Sequence, residues 1–365
     1  MMRQYFSAKE QHPHDILFFR MGDFYEMFFD DAVAVSELLG IALTSRSKDR
    51  SGDKIPMAGI PVKSVDGYIR RLLEAGRRVA ICEQLQDANE VKGIVERGVV
   101  RVVTPGTFFD GDNLDDHRPL HLVSLVSTED EGYGLSWVDL STGKFFAEDL
   151  GTEGSWEEAL LRIGPVECLF AEGVRVETSP PLAWIRQSLP RCALTPFPEW
   201  HFDLDAGRER LLAHFGTRTL EGFGCEHLRT GLRAAGALIH YLRETQRQAL
   251  PHITRLVAAR SGRFMRLDAA THRALDLIEV ARTGDRRGSL LSLLDRTKTA
   301  MGARLLREWL CAPLLDREAI LTRQTAVRVL VDDDDRRNAL RRALAQVRDI
   351  ERLVSRLPLG RSPNT

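Results

Sequence analysis

At 365 residues the chain exceeds what one ordinary core requires, and its 43% hydrophobic and 28% charged residues indicate a globular protein of two or three domains. It has no run of roughly 18 apolar residues, and its start, MMRQYFSAKEQHPHD, lacks an apolar segment, which excludes a membrane-spanning helix and a secretory signal. The net charge of −1 argues against a uniformly basic nucleic-acid binder, but it hides a partition: residues 1–107 balance, 108–245 carry −11 and 246–365 carry +10.

The five cysteines are scattered and never form a CxxC pair, which points to reduced thiols in a cytosol and away from a zinc site or a disulfide framework. In chain order, DILFFRMGDFYEMFF (15–29) is aromatic-rich and should contain a strand through about residue 24. DDAVAVSELLGIAL follows with helical spacing and Gly40 as its C-cap, then SRSKDRSGDK (45–54) reads as a polar loop. A helix over VDGYIRRLLEAG and strands in RRVAICEQ and GVVRVVTPGT complete an α/β segment over residues 1–107.

From residue 108 strands dominate, in LHLVSLVS, GYGLSWVDLSTGKFFAEDL and VECLF, with Ser141–Gly143 as a tight hairpin turn. Helices are expected at 155–163, 205–214 and 226–246, and the proline-rich run 179–200 reads as irregular surface, giving a small α/β domain over 108–245. After TQRQALPHITRL the strand signals nearly stop. Four stretches between 268 and 357 carry apolar residues at helical spacing, with Asp316 and Asp334 as N-cap or first-turn acids and Pro313 between two helices, so 246–365 reads as all-helical.

Catalytic motifs are few. The phosphate-binding GxxxxGK[ST] loop is absent, as are GxSxG and HExxH. His12-Pro-His-Asp15 reads as an exposed loop in preference to a metal site. Asp139, at a strand end beside the 141–143 turn, stands where a ribonuclease H-like nuclease begins its metal site, but two-metal chemistry needs further converging carboxylates. Glu167, Glu172 and Asp203 follow it without a metal-binding pattern, so a hairpin-stabilising acid is the alternative to a magnesium-dependent nuclease.

RMGDFYEMFF (20–29) threads Asp23 and Glu26 among four aromatics. If 22–26 is extended, Phe24 and Glu26 share one face and Tyr25 takes the other. A phenyl ring can wedge into a weak base step, and a carboxylate beside it repels phosphate except where a displaced base offers a donor. Read from the pattern alone, this pairing and a plain core strand both remain open.

RMGDFYEMFFDDA closely resembles the signature of the bacterial DNA mismatch-repair MutS family, and IPMAGIP, VAICEQ, GIVERGVVRVVTPGT, VDLSTGKF, FGTRTLEGFG, TQRQALPHI, LDAATHRALDL, TAMGARLLREWL and RQTAV follow in the family's order. The resemblance implies a mismatch-recognition domain over 1–107, a ribonuclease H-like connector without nuclease activity over 108–245, and the start of a helical core and lever over 246–365. It assigns the mismatch-contacting aromatic wedge to Phe24 and the acid that bonds the displaced base to Glu26, and places Arg46 and Met57 near DNA. Implied partners are double-stranded DNA carrying mismatches or small insertion loops, a MutL-like protein docked on the connector, and a second copy in a homodimer, in the bacterial cytoplasm at the nucleoid. An interaction module that docks such a partner with little DNA binding of its own is the remaining alternative. The family continues into a clamp and an ATPase that use ATP and Mg2+, whereas the likeness stops at LPLGRSPNT. A truncated product or N-terminal half is therefore expected, with neither cofactor nor ATPase activity of its own.

Overall fold

The computed structural model describes residues 1–48, 54–86, 95–108, 119–152, 156–247 and 250–357; the side chains of 46–48 and 356 lie outside that description. The chain is multidomain, mixed α/β followed by helices, and divides into two compact units, one of residues 1–112 and 240–250, the other of 113–239 and 251–365.

The first unit opens with helix α1 (Met2–Gln11), then β1 (Ile16–Met21), β2 (Phe24–Phe28) and α2 (Phe29–Leu39). It continues with β3 (Thr44–Lys48), β4 (Lys54–Pro61), α3 (Val65–Glu74), β5 (Val79–Gln84) and β6 (Arg97–Val103). The sheet order is β3-β4-β2-β1-β5-β6, antiparallel except for the β1–β5 pair. Helices α2 and α3 cover one face, where Phe18, Tyr25, Met27 and Ile60 pack against Val35, Ile69 and Leu72. On the other face α1 sets Tyr5 and Ala8 against Leu17, Phe19, Phe28 and Cys82. Gly40, with φ 68, ends α2, because a left-handed cap costs glycine nothing. Asp31 ties three elements together by accepting from Leu17 N at 3.0 Å and Lys9 Nζ at 2.8 Å.

Two expectations are corrected here. The aromatic run is two strands, folded at Gly22 and Asp23 instead of one strand ending near residue 24. The supposed loop at 45–54 begins as β3 and ends as β4; β3 is a polar edge strand held by backbone pairing to β4, so its own side chains carry no apolar alternation. The rest of that stretch, 49–53, lies outside the described residues.

The second unit contains β7 (His121–Thr128), β8 (Gly132–Asp139), β9 (Lys144–Gly151), α4 (Trp156–Ile163), β10 (Glu167–Ala171), α5 (Pro180–Ser188) and β11 (Ala193–Phe197). It goes on through α6 (Leu204–Phe215), α7 (Thr230–Gln246, which enters the first unit at His240) and β12 (Leu256–Ala258). The sheet order is β11-β10-β7-β8-β9-β12, with β7, β8 and β9 antiparallel and β10, β11 and β12 each parallel to a neighbour. Leu135, Trp137, Leu160 and Ile185 centre the core between the sheet and α4 and α5. Helices α6 and α7 cross backbone to backbone, since a Cβ on Gly236 would stand 2.2 Å from the Gly207 Cα. The proline-rich run is not irregular: Pro180 and Pro181 start α5, where a missing N–H costs nothing, and Pro196 lies in edge strand β11.

The helices after residue 260 are α8 (Ala269–Ala274), α9 (Leu290–Leu294), α10 (Ala300–Cys311), α11 (Arg317–Val331), α12 (Asp334–Leu344) and α13 (Ile350–Arg356). Asp316 caps α11 by accepting from Ala319 N at 2.7 Å, while Asp333 caps α12 and Asp334 is a first-turn acid. Strand β12 is an exception to the all-helical reading of this part; three residues that pair with β9 give no periodicity of their own. Helices α11 and α12 bury no residue, and Leu321, Val327, Val331 and Leu340 stand exposed.

Candidate nucleic-acid interface

The hairpin that carries the aromatic signature is built locally. Met21 pairs with Phe24 across the two-residue turn Gly22–Asp23, and Gly22 at φ 61 supplies the left-handed first position that suits the right-handed twist of the strands. Alternation then directs Tyr25 and Met27 into the helix-covered core and Phe24, Glu26 and Phe28 to the opposite face. Phe28 is buried under α1, where its carbonyl accepts from the Tyr5 hydroxyl at 3.1 Å. Phe24, at the far end of the strand, is left 46% exposed.

A gap sets the Phe24 ring. Glu26 pairs with Gly59 of β4, and a Cβ on Gly59 would meet the Phe24 ring at 3.7 Å, so the ring leans over a position without a side chain. Glu26 shares the face of Phe24, as alternation requires, but it is only 8% exposed between its cross-strand neighbours Phe19 and Gly59. The acid expected at the surface is thus set into the sheet beside an aromatic that projects from it. On the far side of Phe19, the Arg97 guanidinium lies 5.4 Å from that ring's centre and donates to the Arg20 carbonyl at 2.8 Å. Gly59, Phe19 and Arg97 were not singled out from the sequence. A glycine inside a strand, Gly59 in IPMAGIP, is the signal that could have marked the gap.

Met57 lies on the same face but deeper, opposite Phe28 and half-buried against the α1 core, about 13 Å along the strands from Phe24. The Arg46 backbone belongs to β3, and its side chain lies outside the described ones. On the helix-covered face, Tyr25 donates to Glu83, and Arg20 pairs with the same carboxylate at 3.4 Å. Tyr25 is therefore structural. His12 and Asp15, read as exposed loop, form a lock instead: the Asp15 carboxylate is buried, 3.1 Å from His12 Nδ1 and 2.9 Å from Arg78 Nε.

Asp139 in the second unit has a different occupation. It is 3% exposed and accepts from both the backbone N–H of Ser141 at 2.9 Å and the Ser141 hydroxyl at 2.6 Å, closing the β8–β9 turn. The same hydroxyl accepts from Arg352 Nε at 3.1 Å, and Ser355 donates to the Ser141 carbonyl, so α13 docks on this turn. His121 faces Asp139 across the ladder and donates from Nδ1 to the Ile163 carbonyl at 2.6 Å. Burial, aided by Arg307 and Lys144, lowers its pKa against the opposing pull of Asp139 and that carbonyl, so the ring is neutral. Among the described residues Asp139 belongs to no group of three potential metal ligands. Glu167 is fully buried and accepts from Thr195 at 2.8 Å, and Asp203 caps α6. Glu167 and Asp203 are thus engaged elsewhere, and Glu172 is exposed just past the end of β10.

Models of MutS domain I, MutS domain II and MutS domain III match residues 1–112, 121–254 and 270–365 respectively. Over 360 residues the sequence is 44% identical to a protein named DNA mismatch repair protein MutS from Desulfatibacillum aliphaticivorans, an alignment covering 99% of this chain and 40% of that relative. The chain thus spans about 40% of the length of that relative.

Proposed function

The chain belongs to the MutS family, and from that premise we propose that its first unit binds duplex DNA at mismatches and small insertion loops, in DNA mismatch repair, with Phe24 as the wedge. The observation that carries this reading is the isolation of Phe24. Within RMGDFYEMFF it alone among the aromatics is exposed, while Tyr25 and Phe28 are buried and Phe29 is half-buried. An apolar ring standing off a sheet over a glycine gap is poorly placed for a core, and it has the shape of a group that enters a base step.

Insertion of a ring between stacked bases costs a few kcal/mol, least where a pair is already weak, so a wedge selects mismatches through the cost it imposes. Glu26 completes the selection. A carboxylate set this low beside the ring is out of reach of an intact pair, and it accepts a hydrogen bond from a base only after the ring has displaced that base toward it. Against correct DNA it adds only repulsion of phosphate. Met57 and Arg46 act as flanking DNA contacts. The remainder of the proposal follows the family: a MutL-like partner on the second unit, pairing with a second copy, a cytoplasmic location, and no ATP hydrolysis or DNA cleavage by these 365 residues.

The test is fluorescence anisotropy of this chain with a G·T heteroduplex and the matched duplex at one stated salt concentration. A heteroduplex preference that falls to unity in Phe24→Ala supports the reading. Equal affinity ratios for wild type and Phe24→Ala overturn it.

A further inference from the structure

A cavity of about 500 Å3 lies within the second unit, between its sheet and the helices that follow. One wall is aromatic: Trp137 and Phe146 stack with ring centres 5.1 Å apart, and Phe264 stands nearby. The remaining lining is cationic in an unbalanced way. Lys144 and Arg304 are answered by Glu351 and Asp349, and Arg162 by Glu148. Four other arginines, Arg255, Arg260, Arg263 and Arg307, line the same space, and their side chains make no hydrogen bond or ion pair among the described residues. Against them stand two acids, of which Asp139 is committed to Ser141, leaving Glu308.

Four guanidinium groups facing one cavity without an answering carboxylate give it a positive potential, which an anion sharing the space would lower. One of them is also seated. Nη2 of Arg307 lies 2.5 Å from where a Cβ on Gly164 would be, so the absence of a side chain there makes room for the guanidinium. The planar fork of arginine matches phosphate oxygens two at a time, and a single phosphate does not engage four such forks. A cavity of this size holds a small molecule, whereas a DNA duplex is too wide to enter it.

We propose that this cavity is a binding site for a small ligand bearing a di- or triphosphate, with the phosphates gathered by Arg255, Arg260, Arg263 and Arg307 and any attached ring laid against the Trp137–Phe146 wall. Nothing in the reading of Phe24 and Glu26 bears on it, because both lie in the other unit.

Isothermal titration of the 365-residue chain with inorganic tripolyphosphate and with ADP, without divalent metal and at low salt, tests it. Saturable one-to-one binding is expected, weakening as salt rises. Tighter binding of ADP than of tripolyphosphate identifies a nucleotide as the source, and the reverse order a free oligophosphate. Arg255 and Arg263 are exposed, so Arg255→Ala with Arg263→Ala leaves the fold intact, and each lost arginine should weaken binding about tenfold. The control Arg186→Ala, outside the cavity and paired with Glu177, should change nothing. The proposal fails if neither ligand binds saturably, if the double variant binds as wild type does, or if the double variant lowers only the affinity for duplex DNA.

Discussion

Glu26 in the first sheet and Asp139 in the second are both carboxylates buried in a β-strand close to a hairpin turn, at 8% and 3% exposure. They differ in what surrounds them. Asp139 is answered by the turn it closes, through two donors from Ser141, and that serine passes the connection on to Arg352 of α13. Glu26 lies beside Phe24, which projects from the sheet, and opposite Gly59, which fills no space. Asp139 closes a turn and stabilises it, whereas Glu26 shares its surface with an exposed ring, and its proposed role is to meet the base that the ring displaces. The local sequences, an acid among aromatics and an acid before STG, do not separate these two cases, because the distinction lies in the partner strand and in a helix some 210 residues away.

The largest expected effect breaks the first half of the comparison. Phe24→Ala should lower heteroduplex preference by about tenfold or more, the scale of a lost wedge or stacking contact. Thermal unfolding should be nearly unchanged, since an exposed ring contributes little to the core. A variant that loses selectivity only because it unfolds would return Phe24 to the core.

Asp139→Asn and Ser141→Ala should act through stability. Asp139→Asn keeps the acceptor oxygen but removes the charge that strengthens both bonds, and Ser141→Ala removes the hydroxyl bond outright, each a loss of roughly 1–3 kcal/mol. In Ser141→Ala the bond to Arg352 goes too, so the undocking of α13 should be detectable as faster amide exchange there. With Mg2+ or Mn2+ neither wild type nor Asp139→Asn should cut DNA. Cleavage by wild type that Asp139→Asn abolishes would make the second unit the nuclease that its acid first suggested.

Acid should unlock both units, by the same sign. Burial pushes the Asp15 carboxyl up, but the His12 hydrogen bond and the Arg78, His12 and Lys9 charges outweigh it and hold the pKa below the usual value. Asp349 and Glu351 are likewise lowered, with Arg304 overcoming their burial and Lys144 helping at Glu351. A depressed carboxylate contributes stability that is complete above its unfolded value, near pH 4, and that is lost as pH falls through the lower folded value. Unfolding midpoints should therefore hold from pH 7 to about pH 5 and fall below pH 4. Asp15→Asn should flatten that fall in the first unit and leave it intact in the second.

What could be read from the sequence was whatever is local. The α2 pattern with its Gly40 stop, the β8–β9 turn and the Asp316 cap all depend on residues a few positions apart, and each stands in the structure. The family signature named Phe24 and Glu26, and alternation put them on one face. Strand β3 was missed because TSRSK owes its conformation to β4, and α5 because prolines that end helices also begin them. The depth of Glu26 was missed for a related reason: burial is set by Phe19 and Gly59, seven residues before it and thirty-three after.

Glu26→Gln sharpens the comparison at smaller amplitude. It keeps the shape and removes the charge, so matched-duplex affinity should rise severalfold while heteroduplex affinity changes less, as expected for the loss of a phosphate repulsion that acts at a distance from a recessed carboxylate.

The smallest effect comes from Gly59→Ala. The added methyl would meet the Phe24 ring at 3.7 Å, ordinary contact without a clash, and Gly59 does not have the positive φ that only glycine adopts easily. Restricting the unfolded chain should raise stability by about 0.4–1 kcal/mol. If Phe24 wedges from the position it occupies here, selectivity will be unaffected. If selectivity drops while stability rises, the ring must swing across Gly59 to engage DNA, and the gap exists for that movement as well as for the resting ring.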